Sequence, residues 1–585
     1  MAARSIHSTL TRHFLRRFLE NDLISPEADR AQLLAVVGAS LFSVTLMVSL
    51  FMSFVYLGPG WTPSGLAIAA LNDRHFYIAL SMTVAALLAV AQWDSLVVDI
   101  RDASILEPLP VRPTTIRRAK LAAVGILGIA AALLVNLMPT LIFPWLLVFT
   151  TRVSVFDMAT LIAAHAVVTV AAAMWAYLTV IALREVVAAL LTPRLLAYAS
   201  PIVQGALIVI LGSALLLIPP SSHRIERRDF TKARSLSPPM WFLGVYESLV
   251  GDVLRDAPAR RTLTPRQARA DRAASALYAR HQNDFTTLAR RAGIVSGLTV
   301  VLAACAYWWN SRRFPAAAPL RSGRRRRWHR AWLARLAVLR DQTSRAGFFF
   351  TLAAVWRSNL HRLTIACAGA AGVAAAVVTL SGLDVEELAT VAHMPTAVFA
   401  IQPMFYGALL VAFRHGIRVP AELRANWSFQ LAWRNRTRDF LNGVRRAALA
   451  GIVVPALLIV LPMFWFFLGL ELALAHALLG FAGAVVLLEI LMFTYAKVPF
   501  TCTYVPSDNL KALAVPYLVL FLSGASSFAG MQKGALQSPG AAVRLLLLLG
   551  AILIALRLAS RSRATLPQIE FDEAPTATQR LGLHV

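Results

Sequence analysis

The chain has 585 residues, 58% of them apolar and only 15% charged, with a formal net charge of +27. A soluble protein of that length needs far more polar surface, so the composition excludes an ordinary soluble globular protein and points to an all-α, polytopic membrane protein. The positive charge could suggest a nucleic-acid partner. Most of it lies in loops between apolar runs, where membrane orientation and anionic headgroups account for it, and no nucleic acid is expected.

In chain order, residues 1–32 open with Ile6, Leu10, Phe14 and Phe18 spaced four apart, with Arg12, Arg16 and Arg17 beside and opposite them. That pattern predicts an amphipathic helix in a headgroup layer. The first apolar run begins only near Leu33 and no small-residue cleavage site is evident, so no cleavable signal peptide is expected. Apolar runs long enough to span follow at about 33–57, 76–96, 121–150, 157–183, 195–218 and 292–310. They form a first six-span half, 33–310, interrupted by a polar insert at 219–291. Within the insert, Pro238, Pro239, Trp241, Phe242 and Tyr246 suit an element dipping into the outer interface, and 265–290 reads as a polar helix.

Residues 311–362 form a basic linker in which Trp328, Trp332, Leu336 and Leu339 make a helical stripe among arginines, a second interfacial element. A second half, 363–558, carries spans at about 363–383, 391–413, 447–468, 470–495, 512–529 and 541–558, and a polar tail, 559–585, follows. The chain therefore reads as about twelve transmembrane helices in two parallel six-helix repeats. The halves match in layout and charge: each opens with an arginine-bearing amphipathic helix and places a long basic loop between its second and third spans.

With about twelve spans both termini share one side, and most Lys and Arg fall there. The short loops opposite hold only Arg74, Arg152, Lys533 and Arg544. Both termini are expected in the cytoplasm of a cell that uses this as a multi-pass protein of its inner, cytoplasmic membrane. The same rule places the stretch Asp94–Lys120 inside. It carries Arg101, Arg112, Arg117, Arg118 and Lys120, and it is broken by Pro108 and Pro110, so it cannot lie in hydrocarbon.

Chemistry-bearing motifs are few. Cys305, Cys367 and Cys502 are far apart and make no metal spacing, and no metal or catalytic residue is expected. No GxxxxGK[ST] run occurs, so any ATP-driven step needs a partner that hydrolyses it. Asn136, His165, His476 and Glu489 fall at membrane depth and are the candidates for a transport pathway. A lone carboxylate there needs a partner or must be neutral, which makes Glu489 the sharpest case.

The loop after the second span has Asp99, Asp102 and Glu107, then Leu109-Pro110-Val111, then Lys120 opening the third span. With the leading interfacial helix, the six spans and an element between spans five and six, residues 5–310 resemble the permeases of ABC-2-type exporters. The resemblance implies two permease halves fused in one chain, served by separate cytoplasmic ABC ATPase subunits that carry the ATP and Mg, with no cofactor in this chain. It implies ATPase-coupling roles for Glu107, Leu109, Pro110, Val111 and Arg112. In the second half "VPAELRANWSF" stands at that position, and Pro420, Glu422, Leu423 and Arg424 match by position alone. A secondary transporter with Glu489 as its coupling carboxylate, a membrane-embedded enzyme, and a non-transporting membrane scaffold are the alternatives.

Overall fold

The structure, a computed structural model, describes residues 6–19, 45–50, 62–93, 108, 110–147, 153–216, 236–255, 262–280, 282–313, 341–381, 391, 394–419, 436–495, 497–501 and 509–562. Among these residues the chain is all-helical, with no strand. Its helices are α1 (Ile6–Leu19), α2 (Pro63–Ala91), α3 (Pro113–Leu146), α4 (Val155–Leu190), α5 (Pro193–Leu216), α6 (Pro238–Arg255), α7 (Pro265–Arg280) and α8 (Gln282–Arg313). They continue with α9 (Gln342–Arg357), α10 (Asn359–Ser381), α11 (Thr396–Gly416), α12 (Thr437–Leu468), α13 (Leu470–Met492), α14 (Asn509–Leu536) and α15 (Pro539–Ser562). Eight are long and apolar enough to cross a membrane: α2, α3, α4, α8, α11, α12, α13 and α15. The chain is a multi-pass membrane protein. The expected first span, 33–57, is described only at 45–50, and the stripe at Trp328–Leu339 lies outside the described residues.

Local sequence sets the breaks between helices. Ser154 and Asp157 cap each other's backbone at the start of α4, and Thr62 with Pro63 at the first helical position starts α2. Pro193 starts α5 after a break of only two residues, 191–192. Between α12 and α13 a single residue, Gly469, turns the chain at φ 79°, a left-handed conformation that glycine adopts without Cβ strain. Pro455 has no N–H for the carbonyl one turn back, and α12 accommodates it with a π-helical turn at Leu449–Val453.

Several expected boundaries shift. The second span begins at Pro63 rather than near Phe76, because the Thr62 cap and Pro63 start the helix a full three turns earlier. Arg74 is therefore inside a helix and buried, not in an outer loop. Lys533 likewise lies in the last turn of α14. The span expected to end near 183 runs on through Arg184 to Leu190, the last two turns of α4, since no helix breaker comes before Pro193. The polar helix expected at 265–290 is two helices, α7 and the start of α8.

The helices form two compact units, one of α1–α4 with α6–α8, the other of α9–α15. In the first, α1 lies on α3, with Leu10 and Phe14 packed against Ala119 and Ala123 and the Lys120 ammonium 5.5 Å from the Phe14 ring centroid. α4 is the central helix, packed on α2, α3, α6 and α8. In the second unit, α9 lies on the start of α12. The two backbones approach closely because Gly347 faces the Phe440 carbonyl and Gly443 faces the Ser344 carbonyl, with no Cβ between. α13 packs on α11, α12 and α15. Helix for helix, the pairs repeat: α1 on α3 and α9 on α12, α2 on α4 and α11 on α13, α3 on α4 and α12 on α13, α4 on α8 and α13 on α15.

Candidate functional site

Each unit carries a buried histidine on its central helix, caged by aromatic rings from the two helices before it. His165 on α4 lies 5.6 Å from the Tyr77 ring of α2 and 5.5 Å from the Phe143 ring of α3, centroid to centroid. Its Nδ1 is 3.3 Å from the Tyr246 hydroxyl of α6. His476 on α13 lies 5.7 Å from the Phe399 ring of α11 and 4.2 Å from the Phe464 ring of α12. Both are inaccessible, at 0% and 1% exposure. The polar surroundings differ. Around His165 stand Tyr77 and Tyr246; elsewhere on α2 and α3, Ser81 and Asn136 bond to each other at 2.5 Å. Around His476, Gln402 donates to the His476 carbonyl at 3.3 Å and accepts from Gln532 at 2.9 Å. Asn136 donates its amide to the Ala132 carbonyl at 2.8 Å, which ties it into α3.

Nearer the other end of each central helix sits a carboxylate. Glu185 pairs with Arg184 and accepts from Asn310 of α8 at 2.8 Å. Glu489 meets Arg445 of α12 and Arg557 of α15, each at 3.2 Å. Glu489 is therefore not a lone carboxylate: two guanidiniums lie against it, one on each oxygen. Sequence reading missed Glu185, Arg445 and Arg557, whose importance comes only from the packing of α4 on α8 and of α13 on α12 and α15.

The loop after the second span is reached through its base. Pro110 and Arg112 are exposed and Val111 is half-buried against the α1–α3 contact, while Glu107, Leu109, Pro420, Glu422, Leu423 and Arg424 lie outside the described residues. In both units a tyrosine hydroxyl ties down the residue that ends the second span. Tyr177 of α4 donates to the side chain of Gln92, the residue after α2, at 2.7 Å. Tyr495, just past α13, donates to the carbonyl of Ile417, the residue after α11, at 3.0 Å. Trp93 adds a bond to Ser200 of α5 at 2.8 Å. Phe500 N–H adds one to Ile417 at 2.9 Å, from a residue held at φ 65°.

One signal for this repeat was present in the sequence. Leu161, Ala164, His165, Ala166, Ala171 and Ala173 recur in the same spacing as Leu472, Ala475, His476, Ala477, Ala482 and Ala484. The similarity is confined to the two central helices, so it leaves no trace in the layout of apolar runs and charges. Among the described residues no group of three His, Cys, Asp or Glu side chains is placed to hold a metal ion. Comparison with known protein families, characterised proteins and solved structures finds no match.

Proposed function

We propose that the chain is the membrane-spanning subunit of an ATP-driven exporter of the ABC-2 type, with two permease halves in one polypeptide and the ATPase on separate cytoplasmic subunits. The observation that carries this reading is the repeated packing of the two units: an amphipathic helix on the third span, a central fourth span with a caged histidine, and a tyrosine tie at the base of the loop after the second span. A duplicated layout with a polar tie at the same loop base suits a machine driven at two equivalent points. The finer topology belongs to this proposal. The twelve spans are the segment 33–57, then α2–α5 and α8, then α10–α15, with both termini and both loops in the cytoplasm.

The pairing of Glu489 with two arginines supports this reading over the secondary-transporter alternative, which needs that carboxylate for a coupling ion. The test is purification of the tagged chain from its own membranes in mild detergent, with assay of Mg-ATP hydrolysis. The expected result is a nucleotide-binding subunit in the complex and hydrolysis that falls when Arg112→Glu reverses the exposed charge at the loop. A chain that purifies without such a subunit overturns the proposal.

A further inference from the structure

The two units differ in which helix fills the slot beside the central one. In the second, α14 lies in the slot bounded by α11, α13 and α15. It runs antiparallel to α11, with Phe521 beside Gly407 and Gln532 bonded to Gln402. Chain order would put α5 in the matching slot of the first unit. Among the described residues α5 packs to no comparable extent on α2, α4 or α8; α6 packs on all three.

We propose that α6, from the insert between α5 and α8, is a membrane-embedded helix that serves as the fifth helix of the first bundle, locked there by the Arg74–Glu247 ion pair. Its sense is that of α14. Trp241 lies against Trp175 of α4 while Tyr246 lies against His165, so α6 runs antiparallel to α4, and α4 packs beside α2 as α13 packs beside α11. Its depth follows from the same contacts. Trp175 also donates to Thr299 at 3.2 Å, in the apolar stretch of α8 well past its polar start. Pro238–Tyr246 carries no charge, and Met240, Phe242, Leu243 and Tyr246 are all buried.

The packing is that of helices in a bilayer, where small residues let backbones meet. A Cβ on Gly244 would stand 2.6 Å from the Phe285 carbonyl of α8 and 2.5 Å from Leu288 Cβ. The lock is Arg74 Nη1 to Glu247 Oε1 at 2.5 Å, with side chains 1% and 0% exposed, and with the Arg74 guanidinium 4.6 Å over the Tyr246 ring. The corresponding tie between α11 and α14 is the neutral Gln402–Gln532 bond. Two opposite charges removed from water together hold a segment in one register more strictly than amides do, because each alone is costly.

The test starts from a chain with its three cysteines changed to serine. Trp241→Cys with Trp175→Cys, at the site where the two rings meet, treated in native membranes with a short bifunctional thiol reagent, is expected to give a cross-linked peptide pair by mass spectrometry. A nitroxide on Val245→Cys is expected to collide more with oxygen than with a water-soluble nickel chelate, and one on exposed Arg269→Cys of α7 to show the reverse order. Failure of the cross-link overturns the packing. The cross-link together with nickel dominant at Val245 overturns the embedding. Neither readout depends on an ATPase partner, so this inference and the exporter reading fail separately.

Discussion

Glu489 is the carboxylate on which three helices of the second unit converge, and its replacement gives the sharpest quantitative prediction. The two arginines do not contribute equally. Arg557 has a side chain 58% exposed and can return to water when the pair is broken, so Arg557→Ala is expected to cost about 0–1 kcal/mol, as exposed pairs do. Arg445 is 18% exposed and Glu489 10%, so removing the carboxylate strands a guanidinium that water scarcely reaches. Loss of one partner from a fully buried pair costs about 3–5 kcal/mol. Arg445 keeps its bond to Asn442 at 3.1 Å, which lowers the expectation for Glu489→Ala to about 2–3 kcal/mol. The assay is the apparent melting midpoint of the detergent-purified protein. The expected order of loss is Glu489→Ala largest, Arg445→Ala next, Arg557→Ala least. Equal losses at Arg445 and Arg557, or no loss at Glu489→Gln, would refute the reasoning.

The two histidines are expected to respond differently to Phe. Neither ring nitrogen of His476 makes a hydrogen bond and its ring packs on Phe399 and Phe464, so His476→Phe should leave the melting midpoint unchanged or raised. His165→Phe should cost about 1 kcal/mol of stability through loss of the Tyr246 bond, read as a lower midpoint. Gly443→Leu drives a side chain into the Ser344 backbone and should detach α9 from α12, at about 1–3 kcal/mol, read as faster proteolysis at the start of α9. Tyr177→Phe and Tyr495→Phe should each cost about 0.5–1.5 kcal/mol in stability and, if the loop ties transmit force, leave ATP hydrolysis running while transport falls. Asp341 caps α9 by accepting from the Ser344 N–H at 3.0 Å. That bond, helped by nearby Arg436, holds its carboxyl below the usual carboxylate range. Its contribution is therefore complete above the ordinary carboxylate pKa and is lost as pH falls through the depressed one. Proteolysis at α9 should rise only in acid, and in Asp341→Ala it should be high at every pH.

Much of the fold was legible because bilayer physics constrains it strongly. Long apolar runs, the Pro193 break and the Gly469 turn fix where helices stop, and most expected spans coincide with observed helices to within a turn or two. The misses share a cause. Helices here continue past the hydrocarbon into polar sequence, so hydropathy ended α4 near Leu183 and started the second span near Phe76, while capping and propensity carry them from Val155 to Leu190 and from Pro63 to Ala91. Arg74 looked like an outer-loop charge because its partner, Glu247, is 173 residues away. Long-range ion pairs leave no local signal. For the same reason Glu489 read as a lone carboxylate, and the place of α6 beside α2, α4 and α8 was not visible in the insert's composition.

The central claim is that an ATP-hydrolysing partner grips the loop after the second span on the inner side of the membrane. A photo-crosslinking amino acid at Pro110, exposed in this structure, tests it in the native membrane. The account predicts one dominant adduct, with a nucleotide-binding subunit, formed on the cytoplasmic face. An adduct with lipid alone, or labelling of position 110 from outside intact cells, would contradict it.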